Sequence, residues 1–379
     1  MNNMIPQALN AIRGNVTKDF MVKAARDSPG TWHKDYLHIW PRDSLFVALE
    51  LMKHDRAFAE RIAESIIDLP HDNSLFYQRY EQDSQPDPHA WCNNDDSRQL
   101  DQDALKFVIM SNLPNLKTDI KRTRENYSGF LRLIRERRTC TDVWEQKRGY
   151  FFYTTASIIW GLLSAERIMP DTKSNHAKIL GEIVKSLDSF YDEGMKSFVK
   201  SPGERIIDLE VVLGINVLFE SGLNIFERKN DLLRVVSTLK ALEDELCYVI
   251  CGVKIPIRYK GDFWNGEFVS DGSDCRPWPM GCAFISQAYS HVADRALKLG
   301  DIELHYESLG NAKRWLEYLR ATPNIEQFPE QIDFDGSVPK YVPKPLTWCA
   351  SEFLKAERMY AEAKSKSPRK MFHVGVYNN

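Results

Sequence analysis

The chain has 379 residues, 43% of them hydrophobic, enough for two average domains or one large repetitive one with a sizeable buried core. A formal net charge of −3 supplies no global field for nucleic acid or an anionic membrane. Seven scattered cysteines, an odd number, do not form a disulfide framework, and nowhere do eighteen apolar residues run together.

Strand signals are sparse, while helical periodicity recurs along the whole length. The spacing predicts helices near residues 5–14, 43–54, 56–68, 99–112, 118–138, 152–168, 175–191, 208–221, 228–247, 279–299, 302–321 and 346–364. Turn signals at Leu69-Pro70, Met169-Pro170, Ser201-Pro202-Gly203 and Thr322-Pro323 punctuate them. No Ser/Gly-rich linker divides the chain, which predicts one domain over 1–379 with a frayed tail from about 365. The helices near 45–52, 152–163 and 211–219 are apolar almost all round, as buried helices are. Those near 118–138, 175–191 and 228–247 carry one apolar stripe and a charged face. This alternation predicts an all-α fold: an inner ring of helices covered by an outer ring, six hairpins closed into an (α/α)6 barrel. A two-domain helical array is the competing arrangement. The basic stretch Lys121 to Arg138 also carries Glu125 and Glu136, and reads as the solvated face of an outer helix.

Chemically capable residues cluster in the segments leading into alternate helices. These are Ile39-Trp40-Pro41-Arg42-Asp43, then Trp91 with Arg98-Gln99-Leu100-Asp101, then Asp142-Val143-Trp144-Glu145. Asp208-Leu209-Glu210, the stretch Arg258 to Trp278, and Glu330-Gln331-Ile332-Asp333 follow. In an inner ring of parallel helices these segments open at one end of the barrel. Six of the nine tryptophans (Trp40, Trp91, Trp144, Trp264, Trp278 and Trp348) sit in or beside them. Flat aromatic faces with carboxylates, Arg and Gln around one funnel suit a pyranose. Its CH face packs on indole and its hydroxyls take fixed hydrogen bonds.

These segments resemble glycoside hydrolase family 15, the glucoamylases and their bacterial and archaeal relatives. Trp40-Pro41-Arg42-Asp43 resembles the family's W-x-R-D, and Gln99-Leu100-Asp101 its Q-x-D. Asp142-Val143-Trp144-Glu145, followed by Gly149 and Phe151-Phe152, is similar to D-L-W-E-E…G…F-F-T. Phe328-Pro329-Glu330-Gln331-Ile332-Asp333, followed by Pro345-Leu346-Thr347-Trp348, resembles L-P-E-Q-x-D…P-L-T-W. The matches stand in family order over roughly residues 5 to 362. The resemblance implies an exo-acting, inverting hydrolase that releases glucose from the non-reducing ends of α-glucans or oligosaccharides. It implies Glu145 as general acid and Glu330 as general base, with Arg42 and Asp43 on the hydroxyls of the terminal sugar and Arg258 on further hydroxyls. Trp40, Trp91 and Trp144 are candidate walls of the sugar site, and Gln99 and Asp101 candidate contacts. Asp208 and Glu210 read as a helix cap and a first-turn acid. Two departures stand out: Gln146 replaces the second glutamate of W-E-E, and a longer loop, Asn265 to Trp278, replaces the family's G-G-N-P-W.

No cofactor or metal is expected. Cys247 and Cys251 lack a second ligand pair, the nine histidines form no pair at ligand spacing, and Asp333-Phe334-Asp335-Gly336-Ser337 lacks the closing glutamate of a calcium loop. The expected partner is a small or oligosaccharide substrate, with neither nucleic acid nor membrane. The unpaired cysteines and the absence of an apolar N-terminal segment predict a cytoplasmic location. One rival reading is a non-catalytic, sugar-binding or regulatory module of the same fold. The other is a helical-barrel terpenoid synthase holding Mg²⁺ for a diphosphate through the acidic cluster Asp95 to Asp103, which leaves Glu330-Gln331 without a purpose.

Overall fold

The structure, a computed structural model, describes residues 4–27, 36–90, 98–136, 139–262, 264 and 276–368. Within these lie twelve α-helices: α1 (Ile5–Gly14), α2 (Pro41–Leu51), α3 (Arg56–Ile67), α4 (Leu100–Asn112), α5 (Ile120–Glu136) and α6 (Phe152–Ile168). They continue with α7 (Lys173–Ser186), α8 (Leu209–Glu220), α9 (Lys229–Leu246), α10 (Pro279–Lys298), α11 (Ile302–Ala321) and α12 (Thr347–Ser365). Every helix expected from periodicity is present, displaced at its ends by a few residues.

Local chemistry explains many of the helix starts. Pro41 and Pro279 occupy the first turns of α2 and α10, where a missing N–H costs nothing. Asp55, Asp208 and Asp301 cap α3, α8 and α11 by accepting from Phe58 N, Glu210 N and Leu304 N. Beyond the first turn, burial decides which ring a helix joins. Leu209 to Leu218 of α8 are buried without interruption, whereas α5 buries only Thr123, Asn126, Tyr127, Phe130, Leu131, Leu133 and Ile134. The first pattern needs protein on every side; the second needs it on one.

The even-numbered helices close the ring. α2 packs on α4, α4 on α6, α6 on α8, α8 on α10, α10 on α12, and α12 returns to α2. Odd-numbered helices lie outside: α3 against α2, α5 against α4, α7 against α6, α9 between α8 and α10, α11 on α10 and α12, and α1 on α12. This is an (α/α)6 barrel. Closure requires close approach at some seams. A Cβ on Gly161 of α6 would stand 2.7 Å from the Ala104 Cβ of α4, so only glycine lets the two backbones meet there.

Ten short strands add only local hairpins and one long-range tie. β1 (Ala25–Asp27) pairs antiparallel with β10 (Lys344–Leu346), joining the ends of the chain beside α2 and α12. The others are β2 (His71–Asp72) with β3 (Leu75–Phe76), β4 (Cys140–Thr141) with β5 (Arg148–Gly149), β6 (Tyr191–Asp192) with β7 (Ser197–Phe198), and β8 (Cys247–Ile250) with β9 (Val253–Pro256). No helix among the described residues is long and apolar enough to cross a membrane.

Candidate active site

Glu145 lies in the segment that leads into the inner helix α6. It sits in the turn of the β4–β5 hairpin, well before α6 begins, with a left-handed backbone, φ +62°. Asp142 closes this turn: its Oδ1 accepts from Gln146 N at 2.7 Å and Lys147 N at 3.1 Å. A non-glycine residue in this conformation costs about a kcal/mol or more, and persists only where its surroundings over-determine it. The effect here is to aim the Glu145 carboxyl inward. Oε2 accepts from Gln78 Nε2 at 2.6 Å and Oε1 from Gln99 Nε2 at 2.9 Å. Burial pushes the carboxyl up to about 7, against the opposing pull of Arg42, the Gln99 amide and Arg79.

Glu330 lies in the segment before α12, held by a backbone bond from its own N to Pro343 O at 3.2 Å. Its carboxyl is also buried and also raised to about 7 by desolvation, while Tyr36, Arg258 and Trp264 favour the anion. The Tyr36 hydroxyl donates to Glu330 Oε1 at 2.5 Å. The two carboxyls, 185 positions apart in the sequence, share surroundings. The Tyr36 phenol feels the charge of both, and Asp43 raises both.

Arg42 is buried and bridges the first two motifs. Its Nε donates to Asp101 Oδ2 at 2.5 Å and its Nη1 to the Val143 carbonyl at 3.2 Å. Tyr153 also donates to Asp101, at 3.1 Å, so Asp101 orients the arginine. Arg42 Nη2 stands 3.9 Å from Glu145 Oε1 and makes no hydrogen bond among the described residues. Gln99 Oε1 is likewise buried without a partner. A donor and an acceptor left unmet beside an acid are what a ligand hydroxyl would satisfy. Asp43 lies in the first turn of α2; burial raises its carboxyl to about 6, Arg42 opposing.

Trp144 contributes its indole N–H to Asp208 Oδ1 at 2.8 Å and packs edge-on against Trp278, ring centroids 5.5 Å apart. The Arg258 guanidinium lies over both rings, 5.2 Å from Trp144 and 4.8 Å from Trp278. It also donates through Nη2 to Asp262 Oδ1 at 2.6 Å and through Nε to Oδ2. Arg258 thereby braces an aromatic wall and lends charge to Glu330. Gln146 donates to Asp262 at 3.2 Å and accepts from the Tyr259 hydroxyl. Trp40 is half-buried at the start of α2, with the Arg79 guanidinium 5.3 Å from its ring. Trp91 and the 265–275 part of the long loop lie outside the described residues.

Three participants escaped sequence reasoning. Tyr36 and Gln78 lie outside the four motifs and outside any predicted helix, and only tertiary contact marks them. Lys200 is the third. Its ammonium reaches Asp142, Asp208 and Glu210, so the cap and first-turn acid of α8 have a further, buried partner. Separately, His38, Glu81 and Asp87 bring potential metal-ligating atoms within 4.8 Å of one another, although no histidine pair was legible by spacing. His38 Nε2 already meets Glu81 at 3.2 Å, and Asp87 accepts from Arg79 Nε at 2.5 Å.

The fold is that of the glucoamylases. The glucoamylase of Saccharomycopsis fibuligera superposes with a TM-score of 0.75, covering 96% of this chain and 95% of that one at 16% identity. A bacterial glucoamylase complexed with acarbose gives 0.72 at 15% identity, over 96% of this chain and 56% of that one. The family 15 glucoamylase of Hypocrea jecorina gives 0.69 at 17% identity, over 95% and 72%. In sequence, the chain is 25% identical over 338 residues to an uncharacterized glycosyl hydrolase of Methanocaldococcus jannaschii, covering 85% of this chain and 51% of that protein. The chain therefore spans about half the length of the curated relative it matches. No family profile matches the sequence.

Proposed function

We propose that the chain is a glycoside hydrolase of the family 15 type, an exo-acting enzyme that releases glucose from the non-reducing end with inversion. The observation that carries this reading is the pairing of Glu145 and Glu330. Glu330 is buried and Glu145 nearly so, both are raised to about 7, and both lie in the field of Asp43 and Tyr36. Two carboxyls poised near neutrality, one able to hold a proton while the other gives its proton up, are the equipment of glycoside cleavage. A non-catalytic module has no need for them.

In this reading Glu145 protonates the glycosidic oxygen as the C1–O bond breaks. Glu330 takes a proton from a water that attacks C1 from the opposite face, so an α-linkage yields β-glucose. Glu330 suits the base because the Tyr36 hydroxyl and the Arg258 charge favour its anion. Arg42 Nη2 and Gln99 Oε1 offer their unmet hydrogen bonds to the terminal sugar, with Asp43 and Asp101 beside them. Trp144 and Trp40 form walls. Neither cofactor nor metal enters these steps, and the location follows the cytoplasmic expectation.

A glucose-release screen against maltose, maltotriose, isomaltose, dextran, starch and trehalose tests the reading. Single glucose units should appear from at least one of them, in the β form when sampled early by NMR. Early α-glucose, or mixed oligosaccharides with a rapid fall in viscosity, would overturn it.

A further inference from the structure

Lys200 stands at the centre of a buried charge cluster that no sugar could touch. Its Nζ is 2.7 Å from Asp142 Oδ2, 2.9 Å from Asp208 Oδ2 and 3.3 Å from Glu210 Oε2. All four side chains are at most 1% exposed. The Phe151 and Tyr259 rings complete its surroundings, at 5.4 and 5.1 Å from the ammonium. Three carboxyls around one amine leave a surplus of negative charge. Burial pushes Glu210 well above the ordinary carboxylate range, while the carboxyls around it favour the charged form of Lys200.

Each remaining carboxylate has its other oxygen on the site. Asp142 Oδ1 closes the turn that forces Glu145 to φ +62°. Asp208 Oδ1 holds the Trp144 indole at 2.8 Å and caps α8 by accepting from Glu210 N at 2.8 Å. The lysine main chain joins in: Phe152 N, at the start of α6, donates to Lys200 O at 3.0 Å. One residue thus connects the hairpin turn of the acid, the wall of the site and the starts of two inner helices.

We propose that Lys200 is a positioning residue for general-acid catalysis: through Asp142 and Asp208 it holds Glu145 and Trp144 in register with the barrel. The proposal rests on the reading of Glu145 as the acid. The alternative is a plain structural role, in which Lys200 only neutralises buried carboxylates. The two differ in what a charge-balanced removal does. Lys200→Met deletes the tie and adds one net negative charge. Lys200→Met/Asp208→Asn deletes the tie but restores the wild-type net charge, while the asparagine Oδ1 can still accept from Trp144.

The experiment measures kcat, KM, the pH profile of kcat and thermal unfolding for wild type, both variants and Glu145→Gln, on whichever substrate the screen identifies. The double variant is expected to recover most of the folded stability lost in Lys200→Met. Its kcat should stay down at least about 10-fold, its KM should move less than about threefold, and the alkaline limb of its profile should shift. Recovery of kcat to within about twofold of wild type, in step with stability, would overturn the proposal. So would a crystal structure of the double variant in which Glu145 keeps its positive φ and its bonds from Gln78 and Gln99. That structural arm decides the matter even if wild type cleaves nothing in the screen. If Glu145→Gln keeps its turnover, it is the acid assignment that fails, whatever the Lys200 variants do.

Discussion

Tyr36 and Glu330 are joined by a 2.5 Å hydrogen bond from the phenol to the carboxylate, deep enough that both groups leave their ordinary titration ranges. The phenol is pushed well above its usual range by burial, then by Glu330 itself, so it stays a donor throughout the working pH range. Its donation favours the Glu330 anion and offsets part of the desolvation penalty.

The pH profile should reflect this pair. With Glu145 and Glu330 both raised to about 7, one proton shared between them is the active form, and kcat/KM should peak near neutrality. Tyr36→Phe removes a donor that lowers the Glu330 value, so the acidic limb should move to higher pH. An unmoved acidic limb would show that Tyr36 does not tune the base.

Glu145→Gln should lower kcat by roughly 10²–10⁴-fold, the usual worth of general-acid help, with substrate still bound. Turnover measured beside a binding isotherm separates the two effects. A kcat within a few-fold of wild type contradicts the assignment.

Folding stability should oppose the site. A carboxyl raised in the folded state binds more protons there than in the unfolded chain. It therefore favours folding below its unfolded value of about 4.5, and that advantage is lost as pH rises through about 7. Each of Glu145 and Glu330 then disfavours the fold at pH 8 by on the order of 3 kcal/mol. Glu145→Gln or Glu330→Gln should raise Tm by several degrees at pH 8 and change it little near pH 4. Equal shifts at both pH values would contradict the desolvation argument.

His71 should give the opposite slope. Burial, then Lys106 and Arg122, lower its value from 6.5 to about 2, so the unfolded chain takes up the proton first as pH falls. Stability from this site is intact above about 6.5 and declines steadily toward pH 2. His71→Gln should flatten that part of the unfolding curve; an unchanged slope would place the acid sensitivity elsewhere.

Gly161→Ala should destabilise the α4–α6 seam by about 1–3 kcal/mol, because the new methyl meets the Ala104 Cβ at 2.7 Å and its Cα at 2.8 Å. Denaturant unfolding of this variant, paired with Gly161→Ala/Ala104→Gly, gives the check. Only partial recovery is expected in the double variant, because the Ala104 Cα, 2.8 Å from the new methyl, stays in place. If the single substitution is neutral, the seam is looser than this packing implies.

The amino-acid sequence alone determined the twelve helices and their division into two rings, because burial on one side or on all sides writes itself into spacing along a helix. It also marked Arg42, Gln99, Asp101, Trp144, Glu145 and Glu330, because those residues lie in short contiguous motifs. Tertiary structure alone decided what surrounds them. Gln78 reaches Glu145 from a segment with no helical period, and Tyr36 reaches Glu330 across most of the chain. Lys200 looked like an ordinary lysine until Asp142 and Asp208 closed around it. Resemblance alone marks Arg258 for sugar hydroxyls; the fold adds Asp262 and two indoles beside it. Periodicity records which way a residue faces within its own element. The partners that set a pKa or hold a strained turn arrive from distant parts of the chain, and only closure of the barrel brings them into contact.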